Sequence, residues 1–174
     1  LVINAPFEGG TDTYFCEPLI GAPTNFVYME NGTWLHHNSR DTMDMIDVRS
    51  LRDLCMANAL YIYYMADADG ENVEEIAHLT RDWGMRVILD YSREMHERAM
   101  NATDGIAMGR ALYDGSRQIE FRTGLQEKAI MSILRLVETR RKDEAADILD
   151  RYREDIAEYG RMVRTQFEDA VEDA

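Results

Sequence analysis

Four histidines are the residues best suited to metal or acid–base chemistry in this chain: His36, His37, His78 and His96. A neutral imidazole is the commonest metal ligand and the commonest general base near neutral pH. His78 and His96 fall in stretches of helical periodicity and are read as structural or surface residues. His96-Glu97 opens like the zinc motif His-Glu-x-x-His, but Met100 stands where the second histidine belongs, so the motif fails. His36-His37 is different. It lies in the run Trp34-Leu35-His36-His37-Asn38-Ser39-Arg40-Asp41-Thr42-Met43-Asp44-Met45-Ile46-Asp47, after a strand and a turn, before a helix, and beside several carboxylates. Loops leaving a sheet are where α/β enzymes put catalytic groups. On the residues alone two readings stay open: a metal or catalytic site, or a polar loop with an aspartate-rich helix entry. Asp44 and Asp47 are read as helix caps.

The elements that would position this loop belong to two halves of different character. Residues 1 to about 47 hold all three prolines and four of the eleven glycines, and read as loop and strand. Thr24-Asn25-Phe26-Val27-Tyr28-Met29 is an expected strand, closed by the turn signal Asn31-Gly32. After that the periodicity is helical. A first helix, capped by Asp47, is expected to reach about Ala66, with Leu51, Leu54, Cys55, Ala59, Ile62 and Tyr63 as its apolar stripe. A second spans about 72–102, carrying Val73, Ile76, Ala77, Trp83, Val87, Ile88, Tyr91 and Met95 on one side. The stretch from Gly105 to Gly115 is a weak region. A third helix covers about 117–139, with Ile119, Leu125, Ala129, Ile133, Leu136 and Val137. A fourth covers about 142–172, with Ile148, Leu149, Tyr152, Ile156, Tyr159, Val163 and Phe167.

The fold class expected is mainly α with a small α/β part. Residues 1–66 would form the α/β part and 71–174 an antiparallel helical bundle. The stripes lack a strict seven-residue repeat, which argues against an extended coiled coil. Arg140-Arg141-Lys142 is read as offsetting the C-terminal dipole of the third helix.

Charge narrows the partners. Nineteen basic and 33 acidic residues leave a formal charge of −14. That argues against nucleic acid, whose phosphates need a positive field, and against an anionic membrane surface. No run of apolar residues is long enough to span a bilayer. Cys16 and Cys55 are too few for a disulfide framework and lack structural-zinc spacing. Cys55 is expected as a buried thiol on its helix's apolar face. The chain opens Leu1-Val2-Ile3 without an initiator methionine and reads as if entered in mid-sequence.

His37-Asn38-Ser39-Arg40-Asp41-Thr42-Met43-Asp44-Met45-Ile46-Asp47 resembles a signature near the end of zinc aminopeptidases of metallopeptidase family 28, His-Thr-Ser-x-Asp-Thr-x-Asp-x-Val-Asp. This family includes bacterial leucyl aminopeptidases and relatives of glutamate carboxypeptidase. Gly9-Gly10-Thr11-Asp12-Thr13-Tyr14-Phe15 resembles the family's Gly-Gly-Ser-Asp-His-x-x-Phe stretch, with Thr13 in place of the histidine. Ile20-Gly21-Ala22-Pro23 resembles its Gly-Ile-Pro strand entry. The likeness covers about residues 6–66. It implies the C-terminal end of an α/β zinc-exopeptidase domain that hydrolyses peptide bonds. It also implies that His37 is the last ligand of a two-zinc site, with His36 as second choice. Asp41, and more weakly Asp12, would hold the ligand's second ring nitrogen, as carboxylates commonly do. The other ligands and the general base lie upstream in this family. The chain alone is therefore expected to hold no catalytic residue and to bind zinc weakly or not at all. Its implied partners are the missing N-terminal part of the same peptidase and a peptide substrate. A homo-oligomer through the helices is a further expectation. The alternative is a catalytically dead peptidase remnant whose helical bundle serves oligomerisation or protein docking.

Overall fold

A run of alternating apolar and acidic residues with helical period has one economical solution: bury the apolar face against another helix. The computed structural model, which describes Ser39 and residues 42–173, takes that solution throughout its C-terminal part. Four α-helices lie among the described residues: α1 (Val48–Asp67), α2 (Val73–Met100), α3 (Gly105–Ser132) and α4 (Lys142–Glu172). There is no strand among the described residues. The expected strand at 24–29 and its turn lie outside them. The chain divides into two compact units, Leu1–Asp67 and Ala68–Ala174.

The second unit is a three-helix bundle. Each pair among α2, α3 and α4 packs extensively. Near the middle of the core, Gly84 of α2 meets Gln126 of α3 and Ile156 of α4. Three turns away, Gly115 of α3 meets Met95 of α2 and Phe167 of α4. Between those points α2 and α4 advance eleven residues while α3 runs back eleven. So α3 is antiparallel to both neighbours, and α2 and α4 run parallel. Short links make this the direct path: Asn101 to Asp104 join α2 to α3, and two 3-10 turns, Ile133–Leu136 and Thr139–Arg141, lead into α4.

The buried seam repeats every eleven residues. On α2 it reads Val73, Gly84, Met95 and, four residues on, Ala77, Ile88, Ala99. On α4 it reads Ala145, Ile156, Phe167 and Leu149, Gly160, Val171. Eleven residues in three turns is 3.67 per turn, slightly more than the α-helix's own 3.6. That drift favours nearly straight helices with a slight right-handed wrap, the opposite of a heptad coiled coil. Ile88, Ile119, Ile130, Leu149 and Ile156 are fully buried along this seam. Each contributes roughly 2 kcal/mol of apolar burial.

Three expectations need correction. First, α3 starts at Gly105, twelve residues before the expected 117. Gly105, Gly109 and Gly115 lower intrinsic propensity there, but Asp104 starts the helix by accepting from the Ala107 N–H at 2.8 Å. Second, α1 buries no residue fully, and Cys55, Leu51, Ile62 and Tyr63 are exposed. Its half-buried line is Leu54, Asn58, Tyr61 and Met65, about a quarter turn from the expected stripe. The helix is apolar on most of its circumference, so periodicity did not single out one face. Leu125 of α3 is likewise on the outside. Third, Arg140-Arg141-Lys142 follows the end of α3 by more than a turn and opens α4 instead. There Arg140 pairs with Glu138 at 2.7 Å and Arg141 with Glu144 at 3.8 Å. Asp143 and Glu144 supply the negative charge that a helix N-terminus favours.

Two glycines set how near the helices come. A β-carbon on Gly115 would lie 2.5 Å from Phe167 Cζ. One on Gly160 would lie 2.8 Å from Thr123 Cβ and closer still to its branch atoms. Thr123 cannot swing aside freely, because it is β-branched and its hydroxyl donates to the Ile119 carbonyl at 2.9 Å. Gly160→Ala is therefore expected to destabilise the bundle by about 1–2 kcal/mol, overpacking outweighing better helix propensity. Gly109→Ala, with nothing within 4 Å of its new β-carbon, is expected to stabilise by up to about 1 kcal/mol. Urea unfolding followed by circular dichroism measures both.

Candidate functional site

His36, His37, Asp41 and Asp12, the residues expected to form or support the zinc site, lie outside the described residues. The described part begins at the exit from that loop. Thr42 is extended, and Met43–Met45 form one 3-10 turn closed by the Met45 N–H on the Thr42 carbonyl at 3.0 Å. Met43 and Met45 are exposed. Asp44 makes no capping bond in this turn, whose leading residue has no side-chain cap, so the expected capping role fails there.

Asp47 does cap α1. Its carboxylate accepts from the Arg49 N–H at 3.2 Å and from the Ser50 hydroxyl at 3.0 Å. Its carbonyl accepts the first helical bond, from Leu51, at 3.0 Å. These bonds, the Arg49 N–H foremost, hold the carboxyl below the usual aspartate range. A carboxyl depressed in the folded state stabilises it above the unfolded-state pKa, and that help is lost as pH falls through the folded value. The first turn of α1 is thus expected to loosen in acid, below the ordinary aspartate range. Amide exchange at Arg49 and Ser50 should show the loss, and Asp47→Asn should flatten most of its pH dependence.

The two described histidines take surface or structural places on α2. His78 is half-exposed, with Nε2 3.3 Å from Asp82 Oδ2 and Nδ1 2.8 Å from an Arg81 guanidinium nitrogen. Arg81 in turn reaches Asp82 at 2.9 Å and Asp155 of α4 at 3.3 Å, and lies 5.2 Å from the centre of the Tyr152 ring. The bond to Asp82 is the main cause that raises the Arg81 pKa and keeps it cationic. This network ties α2 to α4. His96 is half-buried, and no partner gathers round it for metal binding. Among the described residues no three His, Cys, Asp or Glu side chains converge on a point that could hold a metal ion. One imidazole gives one coordination bond, whereas catalytic zinc takes about three protein ligands.

A cleft of about 430 Å³ lies between the start of α3 and the end of α4. Sequence reasoning did not find it, because its walls come from residues about fifty positions apart. Arg164 sits in it, with Nε 2.8 Å from Glu168 and Nη1 3.4 Å from Glu120. The Arg164 bond, with help from the Ser116 hydroxyl, holds the Glu168 carboxyl below its ordinary range. The cleft lining contains neither histidine nor cysteine, so it offers no nucleophile with an imidazole base. Arg164 and Glu168, two of its charged residues, pair with each other.

Asn101, in a glycosylation sequon with Thr103, has its side-chain nitrogen bonded to the Glu97 carbonyl at 2.9 Å and finishes α2. No helix among the described residues is long and apolar enough to cross a membrane. Comparison with known proteins finds no matching family model, curated protein or solved structure.

Proposed function

We propose that the chain is the C-terminal part of a co-catalytic zinc exopeptidase of the aminopeptidase type, in which His37 supplies the last zinc ligand. The observation that carries this reading is the run His37 to Asp47, with two further stretches upstream in the family's order. The start of α1 at Val48, immediately after the run, suits it, since a final domain helix follows the ligand loop in this reading. Two zinc ions in such enzymes polarise the scissile carbonyl and lower the pKa of bound water. This chain would contribute His37 as ligand, Asp41 to orient its ring, and α1 to anchor the loop. The remaining ligands and the general base would come from residues preceding Leu1, and the peptide substrate would bind there too. In the full-length polypeptide, His37→Ala is expected to lower bound zinc and to cost at least about 10-fold in metal affinity or activity, the scale of lost metal-site support. Metal analysis beside an aminopeptidase assay checks it. Unchanged zinc and unchanged turnover would remove His37 from the site.

A second reading is favoured by the apolar residues that stay outside after the bundle closes. Ile106, Tyr113, Phe121 and Leu125 are exposed by 79%, 66%, 60% and 43%, and all belong to α3. In that reading the peptidase part is catalytically dead and the bundle is the working part, as an oligomerisation module. Light scattering on the chain separates the two, since a strict monomer at high concentration speaks against the second.

A further inference from the structure

The outer face of α3 has a composition unlike the rest of this acidic bundle. At 100° per residue, Ile106, Arg110, Tyr113, Asp114, Arg117, Phe121 and Leu125 all fall within about a third of the helix circumference. Each is exposed. The helix as a whole carries four basic and three acidic residues, against four and six on α2 and five and ten on α4. A chain with formal charge −14 repels copies of itself. Within the bundle, α3 has the least negative charge of the three helices and the most exposed large apolar side chains, four against two on α2 and one on α4. Neither Asp114 nor Arg117 forms an ion pair with any described residue.

We propose that a second copy of this chain docks on this face, its α3 antiparallel to the first about a two-fold axis at the level of Gly115 and Ser116. The proposal rests on the oligomerisation reading above and specifies its surface. An isologous contact must be self-complementary: whatever residue i meets, its equivalent meets in return. The order of residues on α3 meets that condition. Around this axis Ile106 faces the partner's Leu125, which joins two exposed aliphatic side chains. Arg110 faces the partner's Phe121, a guanidinium over an aromatic ring. Asp114 faces the partner's Arg117, and the pair occurs twice. A parallel pairing would instead set Arg117 against Arg117 and Asp114 against Asp114. The four apolar side chains and the arginine stems supply on the order of 500 Å² per copy, near the low end of specific interfaces, so the dimer is expected to be a micromolar one.

The test is sedimentation equilibrium of the full chain, with reductant present so that exposed Cys55 cannot cross-link copies. The wild type is expected to dimerise at micromolar concentration. Asp114→Arg sets arginine against arginine twice, and Arg117→Asp sets aspartate against aspartate twice. Each should weaken dimerisation about tenfold, given the modest worth of exposed pairs. The double exchange, Asp114→Arg with Arg117→Asp, restores opposite charges across the axis and should return affinity to near the wild-type value. Tyr113→Glu with Phe121→Glu should abolish the dimer while leaving helical circular dichroism unchanged. A monomer at all concentrations overturns both this proposal and the oligomerisation reading. A dimer indifferent to every variant overturns the α3 contact and leaves oligomerisation through another face. Two weakening single exchanges without recovery in the double overturn the antiparallel register.

Discussion

The bundle depends on how closely its helices approach at two glycines. Gly115 admits the ring of Phe167, and Gly160 admits the branched side chain of Thr123. A β-carbon in either place would force its neighbour or the local α3–α4 spacing to give way, because packed interiors tolerate little added volume. Large residues stand opposite small ones at successive levels: Ile156 over Gly84, Phe167 over Gly115. The seam thus stays filled although no single residue type repeats along it. This is also why an eleven-residue repeat of burial exists without an eleven-residue repeat of sequence.

Around that seam the electrostatics are arranged to keep α4 in place despite its charge. α4 has ten acidic and five basic residues and would repel an acidic neighbour. Arg81 of α2 reaches across to Asp155, and Arg164 of α4 reaches across to Glu120 of α3. Each such pair, partly exposed, is worth less than about 1 kcal/mol. Their effect is directional more than energetic: Asp155 of α4 is held toward α2, and Arg164 of α4 toward α3. The acids at the N-terminus of α4 sit where its dipole favours them. By contrast Asp114 and Arg117, on the outer face of α3, pair with none of the described residues.

The ends of α1, α2 and α4 were largely legible, because ends are decided by local groups, whereas α3 ends at Ser132 and not near 139. Asp47 caps α1, Asn101 closes α2 with a side-chain bond to Glu97, and α4 spans the residues its pattern indicated. The start of α3 was not legible from propensity, since three glycines argued for a break and one aspartate overrode them. The inner face of each helix was legible only in part. Val73, Ala77, Ile88 and Met95 stood on the expected side of α2, but Gly84 and Ser92 share the seam and no hydrophobic stripe would include them. Of the candidate site, the structure describes only the exit: Thr42, the turn that follows, and the cap at Asp47. His36, His37, Asp41 and Asp12 remain readings of sequence pattern alone.

The sequence by itself determined that residues beyond Asp47 are helical and acidic outside, and where three of the four helices begin. Those properties follow from capping groups and from the 3.6-residue period, which act within one or two turns. Only the tertiary structure decided which face of each helix is buried and how the three are registered. That choice rests on matching volumes between residues far apart in the chain, as Gly115 with Phe167 and Gly160 with Thr123. A glycine reads as a weak point in a helix until its neighbour is known. The neighbour turns it into the place where two helices touch.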